Sequence, residues 1–307
     1  MQTITLSEIN SRLLQELEMF NSVSGLFVRI TFFSILLFPM AHADPGCQVA
    51  PERQVIDQFM ALNPGGALQQ ISQISSSDSE NPALDLYRGM AAMVRAFRDD
   101  AVDAARRPYD DEALRYFAQA VKKANRRIES NPADAAARFA LGASQSYQAG
   151  LLEARGKRLK ALKLVHRGRE ELQSLITDHP DMEEAYMVLG LFEYFLGNNA
   201  EENGMSARLL NLTGDPELGL SYLERAVESA PNVAPEAARI LLMDTSLSDN
   251  EMCRYADLST QMNTRYPSNR IFRLLSELLP LQCRLAEAEG ESVSPSVGVT
   301  LNTGCTG

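Results

Sequence analysis

The chain has 307 residues, with 29 Lys and Arg against 40 Asp and Glu and a formal net charge of −11 at pH 7. That acidic balance argues for solubility and against nucleic acid as a general partner. It holds three histidines and four cysteines, with no Cys-x-x-Cys and no Cys/His spacing of a metal or redox motif, so the sequence calls for no metal and no cofactor.

In chain order, Gly25 to Ala43 reads as a secretory signal: Arg29, an apolar run from Ile30 to Phe38, then Ala41-His42-Ala43 as the cleavage site. The run is short of the roughly 20 residues needed to cross a bilayer. Residues 1–43 are therefore expected to be a signal peptide, conventional in length if translation starts at Met19; the rival reading is a retained signal anchor. Cleavage leaves 307 − 43 = 264 residues and no later apolar run long enough for a transmembrane span. Cys47 follows Asp44-Pro45-Gly46, which breaks a lipobox. Residues 44–80 are expected to form short N-terminal helices, broken at Asn63 to Gly66, and a linker at Ser75 to Glu80.

Residues 81–289 carry helical patterning. Leu84 to Arg106 reads as a long helix with Leu86, Met90, Met93 and Phe97 on one face. Residues 106–114, RRPYDDEAL, are expected to make the turn, and Leu114, Phe117 and Val121 continue the core face. Downstream, a period appears. Ser130 to Gly142, Asp178 to Gly190 and Ser229 to Leu242 superpose, with Pro132, Pro180 and Pro231 spaced 48 and 51 residues apart. Gly142 and Gly190 each lie ten residues after their proline, and Leu241 takes that place in the next unit. Pro82 with Gly89 marks a shifted earlier copy, and Pro267 a later one. Self-similarity of this kind means stacked supersecondary units that bury one continuous core. Each proline is expected in the first turn of a helix, and each glycine where a neighbouring helix approaches closely. Residues 290–307 lack a helical pattern and are expected to be a disordered tail.

These features resemble the tetratricopeptide repeat. Ala226 and Pro231 stand at that family's spacing of small residue and proline, and Gly142 and Gly190 match its first-helix glycine. The period departs, since tetratricopeptide units are about 34 residues long. The resemblance implies an all-α fold, a TPR-like right-handed α-solenoid of antiparallel helix hairpins with units of about 50 residues. The stretch Leu189 to Ala226, with Gly214, Asp215, Glu217 and Gly219, also resembles the eukaryotic inclusion-body-clearance proteins and some secreted bacterial TPR-like proteins.

Four cysteines in an exported chain suggest disulfides. Cys253 and Cys283 flank the turn at Tyr266 to Ser268 at similar distances, so an antiparallel hairpin brings them to one height. Cys47 and Cys305 are left open, to pair with each other, with a partner, or not at all. No catalytic residue is expected: His166 and His179 have no serine, cysteine or carboxylate arranged as nucleophile and base. The densest charge feature runs from Arg155 to Arg169. Leu159, Leu162, Val165 and Leu172 form its core face, and Lys160, Lys163 and Arg167 line the opposite side. Lys122, Lys123, Arg126 and Arg127 form a second cluster. Two readings compete for these cations, a solvated face beside acidic neighbours and a surface for an acidic partner or anionic lipid. The insert Asn198 to Gly214 carries Met205, Leu209, Leu210 and Leu212, to pack on the core or to line a groove, and a sequon at Asn211.

The expectation is a non-catalytic, exported protein of a bacterial periplasm that engages another envelope protein or a peptide. The alternative is a ligand-binding solenoid resembling the periplasmic T-components of TRAP transporters, with Phe192/Phe195 and Tyr186/Tyr194 lining a pore rather than a core.

Overall fold

The computed structural model of the chain describes residues 50–75, 78–99, 101–198, 212–242, 253–289 and 298–302. The expected signal peptide, Cys47, Cys305, residues 199–211 of the insert and most of the tail lie outside the described residues. Within them are eleven α-helices and no strand. In order these are α1 (Pro51–Met60), α2 (Pro64–Ser75), α3 (Pro82–Arg98), α4 (Asp103–Ser130), α5 (Ala135–Ala154), α6 (Arg158–Asp178), α7 (Glu184–Asn198), α8 (Pro216–Ser229), α9 (Ala234–Ile240), α10 (Ala256–Arg265) and α11 (Arg270–Glu289).

Local chemistry sets the helix starts. Asn81, Asp134 and Asp215 cap α3, α5 and α8 by accepting from the backbone N–H of Ala83, Ala137 and Leu218 at 3.0, 2.9 and 3.2 Å, as short polar side chains do at orphaned first-turn donors. Pro132, Pro180 and Pro231 correct the expectation made for them. They lie in the turns ahead of α5, α7 and α9, not in those helices' first turns. Lacking an N–H, each cannot continue the preceding helix, so it works as a stop. The break after α3 also differs from expectation. It falls at Asp99 to Val102, where the Ala101 N–H closes onto the Ala96 carbonyl at 2.9 Å, and Pro108 is carried inside α4.

Successive helices pack as antiparallel neighbours: α3 with α4, α5 with α6, α7 with α8, α10 with α11. The helices that open successive units, α3, α5, α7 and α9, begin at residues 82, 135, 184 and 234, so the first three units are 53, 49 and 50 residues long by subtraction. In the first three units a glycine of the first helix makes the contact. A Cβ on Gly89 would strike the ring of Phe117, and one on Gly142 would lie 2.5 Å from Leu172 Cγ. Gly190 meets α8 backbone to backbone, where a Cβ would sit 2.8 Å from the Gly219 carbonyl oxygen. Ala226 is fully buried.

The inner helices α3, α5, α7 and α9 touch in succession, and α1 touches both α3 and α9. The chain therefore closes on itself. Arg53 of α1, with no exposed side-chain surface, donates through Nη1 to the Pro231 carbonyl at 2.6 Å and the Asn302 carbonyl at 3.1 Å. Its Nε meets Asp57 at 3.0 Å. Asp57 also accepts from the Tyr266 hydroxyl at 2.5 Å, and Asn269 donates to the Met60 carbonyl at 2.9 Å. The linker at residues 78–80 is likewise tied down, by Arg126 to Glu80 at 2.7 Å and Arg127 to Asp78 at 3.1 Å. Residues 50–75 thus share one core with the helices that follow. Residues 298–302 depart from the expected disorder, with Val299 and Leu301 buried in that same core.

Cys253 and Cys283 are joined by a disulfide with Cα atoms 5.3 Å apart. It pins α11 to the 3₁₀ turn ahead of α10, as the hairpin geometry led one to expect.

Alanine at Gly190 tests the close approach. Helix propensity alone would raise stability by about 1 kcal/mol. The clash with a backbone carbonyl reverses the sign, for a net loss of about 1–3 kcal/mol in chemical denaturation. An unchanged or higher stability would mean that the two helices have room to spare.

Candidate partner-binding surface

Helix α6 presents its two faces to different surroundings. Ala161, Leu162, Val165, Leu172 and Leu175 are buried against the neighbouring helices. Lys160, Lys163 and Arg167, spaced three and four residues apart, form one exposed stripe. Leu159, expected on the core face, is 57% exposed. It lies in the first turn of α6, at the end of the hairpin beside the reversal at Gly156, and its apolar side chain borders the lysines.

The cations of this run divide into two groups. Arg155 meets Asp111 at 2.7 Å, and Arg158 lies 3.9 Å from Glu153. Arg169 meets Glu193 at 2.6 Å. Glu193 is 3% exposed and also accepts from the Asp215 N–H at 3.2 Å. Lys160, Lys163 and Arg167 make no ion pair with the described residues. The second cluster is mostly spent internally: Lys123 on Asp85 at 2.7 Å, Arg126 on Glu80, Arg127 on Asp134 at 2.8 Å and on Asp78.

Beside the stripe, Leu141 and Gln145 of α5 and Arg167, Glu170, Glu171 and Ser174 of α6 line an open groove of about 320 Å³. The two helices approach closely here, since a Cβ on Gly168 would lie 3.1 Å from the Gly142 carbonyl oxygen. Gln145 Oε1 is buried in that wall with no hydrogen-bond partner. At the far end Arg138 is committed to Glu171 at 2.6 Å, Asp178 at 2.7 Å and Ser174 at 2.9 Å. The hydrogen bond from Arg138 holds the Asp178 carboxyl below its usual range, with the charges of Arg138 and His179 adding to it.

The aromatic residues face inward. Phe192 and Phe195 are 0% and 4% exposed. Tyr186 packs edge-on against Tyr222 at 5.2 Å, with the Arg225 guanidinium 3.8 Å over its ring. Tyr194 packs edge-on against Phe195 at 5.5 Å. These rings pack in the core. The inner helices do enclose a cavity lined by Met93, Tyr147, Met187, Leu191, Glu236 and Ile240, but its volume of about 20 Å³ suits about one water molecule. His166 lies 3.5 Å from Glu170, and His179 is the C-cap residue of α6. Leu212, the described leucine of the insert, is buried in the core.

Sequence reading passed over Arg53, Gln145 and Gln261. Nothing in the pattern of a polar residue announces the partner that tertiary packing brings to it: Arg53 meets carbonyls 178 and 249 residues away, and Gln261 a segment about 40 residues on. No protein-family model matches this chain, and no curated protein matches it in sequence.

Acid titration checks the Arg138 cluster. Asp178 has a folded pKa below its unfolded value, so its contribution is present above about pH 4. It is lost as pH falls through the lowered folded value. Arg138→Met is expected to flatten the fall of melting temperature between pH 5 and pH 2.5. An unaltered slope would remove Asp178 from the acid response.

Proposed function

We propose that this chain is an exported, non-catalytic TPR-like scaffold whose basic stripe on α6, with the adjoining groove, engages an acidic segment of another envelope protein or a peptide. One observation carries the reading. In a protein of net charge −11 whose cations are largely matched by its own carboxylates, Lys160, Lys163 and Arg167 stay exposed and unpaired beside an open groove. Unmatched charge on one helix face steers and orients an oppositely charged partner. The groove volume is of the size that holds a few side chains. The leader-like N-terminus and the Cys253–Cys283 disulfide support export to an oxidising compartment. Among the described residues no helix is long and apolar enough to cross a membrane. The ligand-binding alternative has less support, because the aromatic pairs are core residues and the central cavity is water-sized.

The test reverses the three charges. Lys160→Glu/Lys163→Glu/Arg167→Glu is expected to keep the melting temperature, since exposed substitutions change stability by about 0.5 kcal/mol or less. Crosslinking in the host's envelope, read by quantitative mass spectrometry, is expected to show an acid-rich partner on the native protein and at least a tenfold loss on the variant. Equal recovery on both would overturn the reading.

A further inference from the structure

Residues 298–302 fit into the fold as a bound peptide does. Exposure alternates along them: Gly298 and Thr300 are exposed, while Val299 and Leu301 are 3% and 6% exposed. A period of two is that of an extended strand offering every second side chain to a surface. The main chain is held from both sides. Gln261 of α10 donates through Nε2 to the Val299 carbonyl at 3.0 Å and accepts through Oε1 from the Leu301 N–H at 2.9 Å. Across the groove, the Asn302 N–H donates to the Val227 carbonyl at 2.9 Å, and its side-chain amide donates to the Glu228 carbonyl at 3.1 Å. Arg53 of α1 donates to the Asn302 carbonyl.

The Val227 acceptor is free for a reason written in the sequence. In an uninterrupted helix it would accept from the N–H four residues on, and that residue is Pro231, which has none. The proline that ends the repeat unit thus leaves a carbonyl facing the groove, and a buried carbonyl demands a partner. Main-chain hydrogen bonds combined with pockets for alternate side chains are how proteins commonly hold extended peptides.

We infer that the groove between α1, α8 and α10 is a binding site for extended peptides with branched apolar side chains at alternate positions, occupied here by the chain's own residues 298–302. Tethering gives that segment an effective concentration on the order of millimolar. A free peptide must compete with it, so the full chain is self-blocked. This site is separate from the α6 stripe, and neither reading depends on the other.

The probe is a fluorescent peptide of residues 297–303, followed by anisotropy against the full chain. With Val299→Asp/Leu301→Asp the resident segment cannot seat. That variant is expected to bind the peptide at least tenfold more tightly than the native chain does, and adding Gln261→Leu is expected to cost at least tenfold again. A folded double variant that does not bind, or one indifferent to Gln261→Leu, overturns the inference. If the double variant does not fold, the readout moves to the native chain by hydrogen exchange at Leu301 and Asn302. Excess unlabelled peptide is then expected to strip their protection, with a scrambled peptide as control. Protection unmoved by the native-sequence peptide overturns the inference.

Discussion

The fold depends on two helices touching through their backbones. At Gly190 and Gly219, α7 and α8 lie closer than any pair of side chains would allow, and a Cβ on Gly219 would stand 2.8 Å from the Gly190 carbonyl oxygen. Each glycine weakens its own helix by about 1 kcal/mol relative to alanine. The offset is dense dispersion contact along the crossing. The earlier hairpins use a milder form of the same device, with a glycine notch that receives Phe117 in one and Leu172 in the other. Because α3, α5 and α7 pack on one another in turn, the spacing fixed in each hairpin passes to the next and determines where α9 arrives.

Where α9 arrives, α1 is waiting. A stack of hairpins ordinarily offers a concave inner surface to its partners, but here, among the described residues, α1 packs against α3 and α9 and the cavity between the inner helices is water-sized. The exposed, unpaired cations and the open groove lie instead on the outside, on α6. Closure is secured by a buried cation: Arg53 is matched by Asp57 and by two carbonyls. Removing a partner from such a charge is far more damaging than never having buried it.

The hairpins were legible because burial repeats locally. Glycine ten residues after proline, apolar positions at three and four, and cysteines equidistant from a turn are short-range signals. Each reports on a neighbour within one unit. What was illegible is long-range. The role of Arg53 depends on residues 231 and 302; the turn expected at residues 106–114 is instead inside α4, which starts at Asp103 and carries Pro108. The stripe of Lys160, Lys163 and Arg167 was visible as a periodicity. Its contrast with the second cluster was not, because pairing Lys123, Arg126 and Arg127 takes acids brought in from Asp78, Glu80, Asp85 and Asp134. Phe192/Phe195 and Tyr186/Tyr194 were open to a pore or a core in the sequence, because helical spacing serves either; their burial decides for the core.

The clasp between Arg53 and Asn302 has a mechanical consequence. It brings points 249 residues apart in sequence within one hydrogen bond of each other. A pull applied between residue 50 and residue 302 therefore loads that clasp and the strand bonded to Val227 first, in shear, before any hairpin feels tension. The stacked units are spared stretching from their ends, and the molecule resists force as a loop with a locked buckle rather than as a spring.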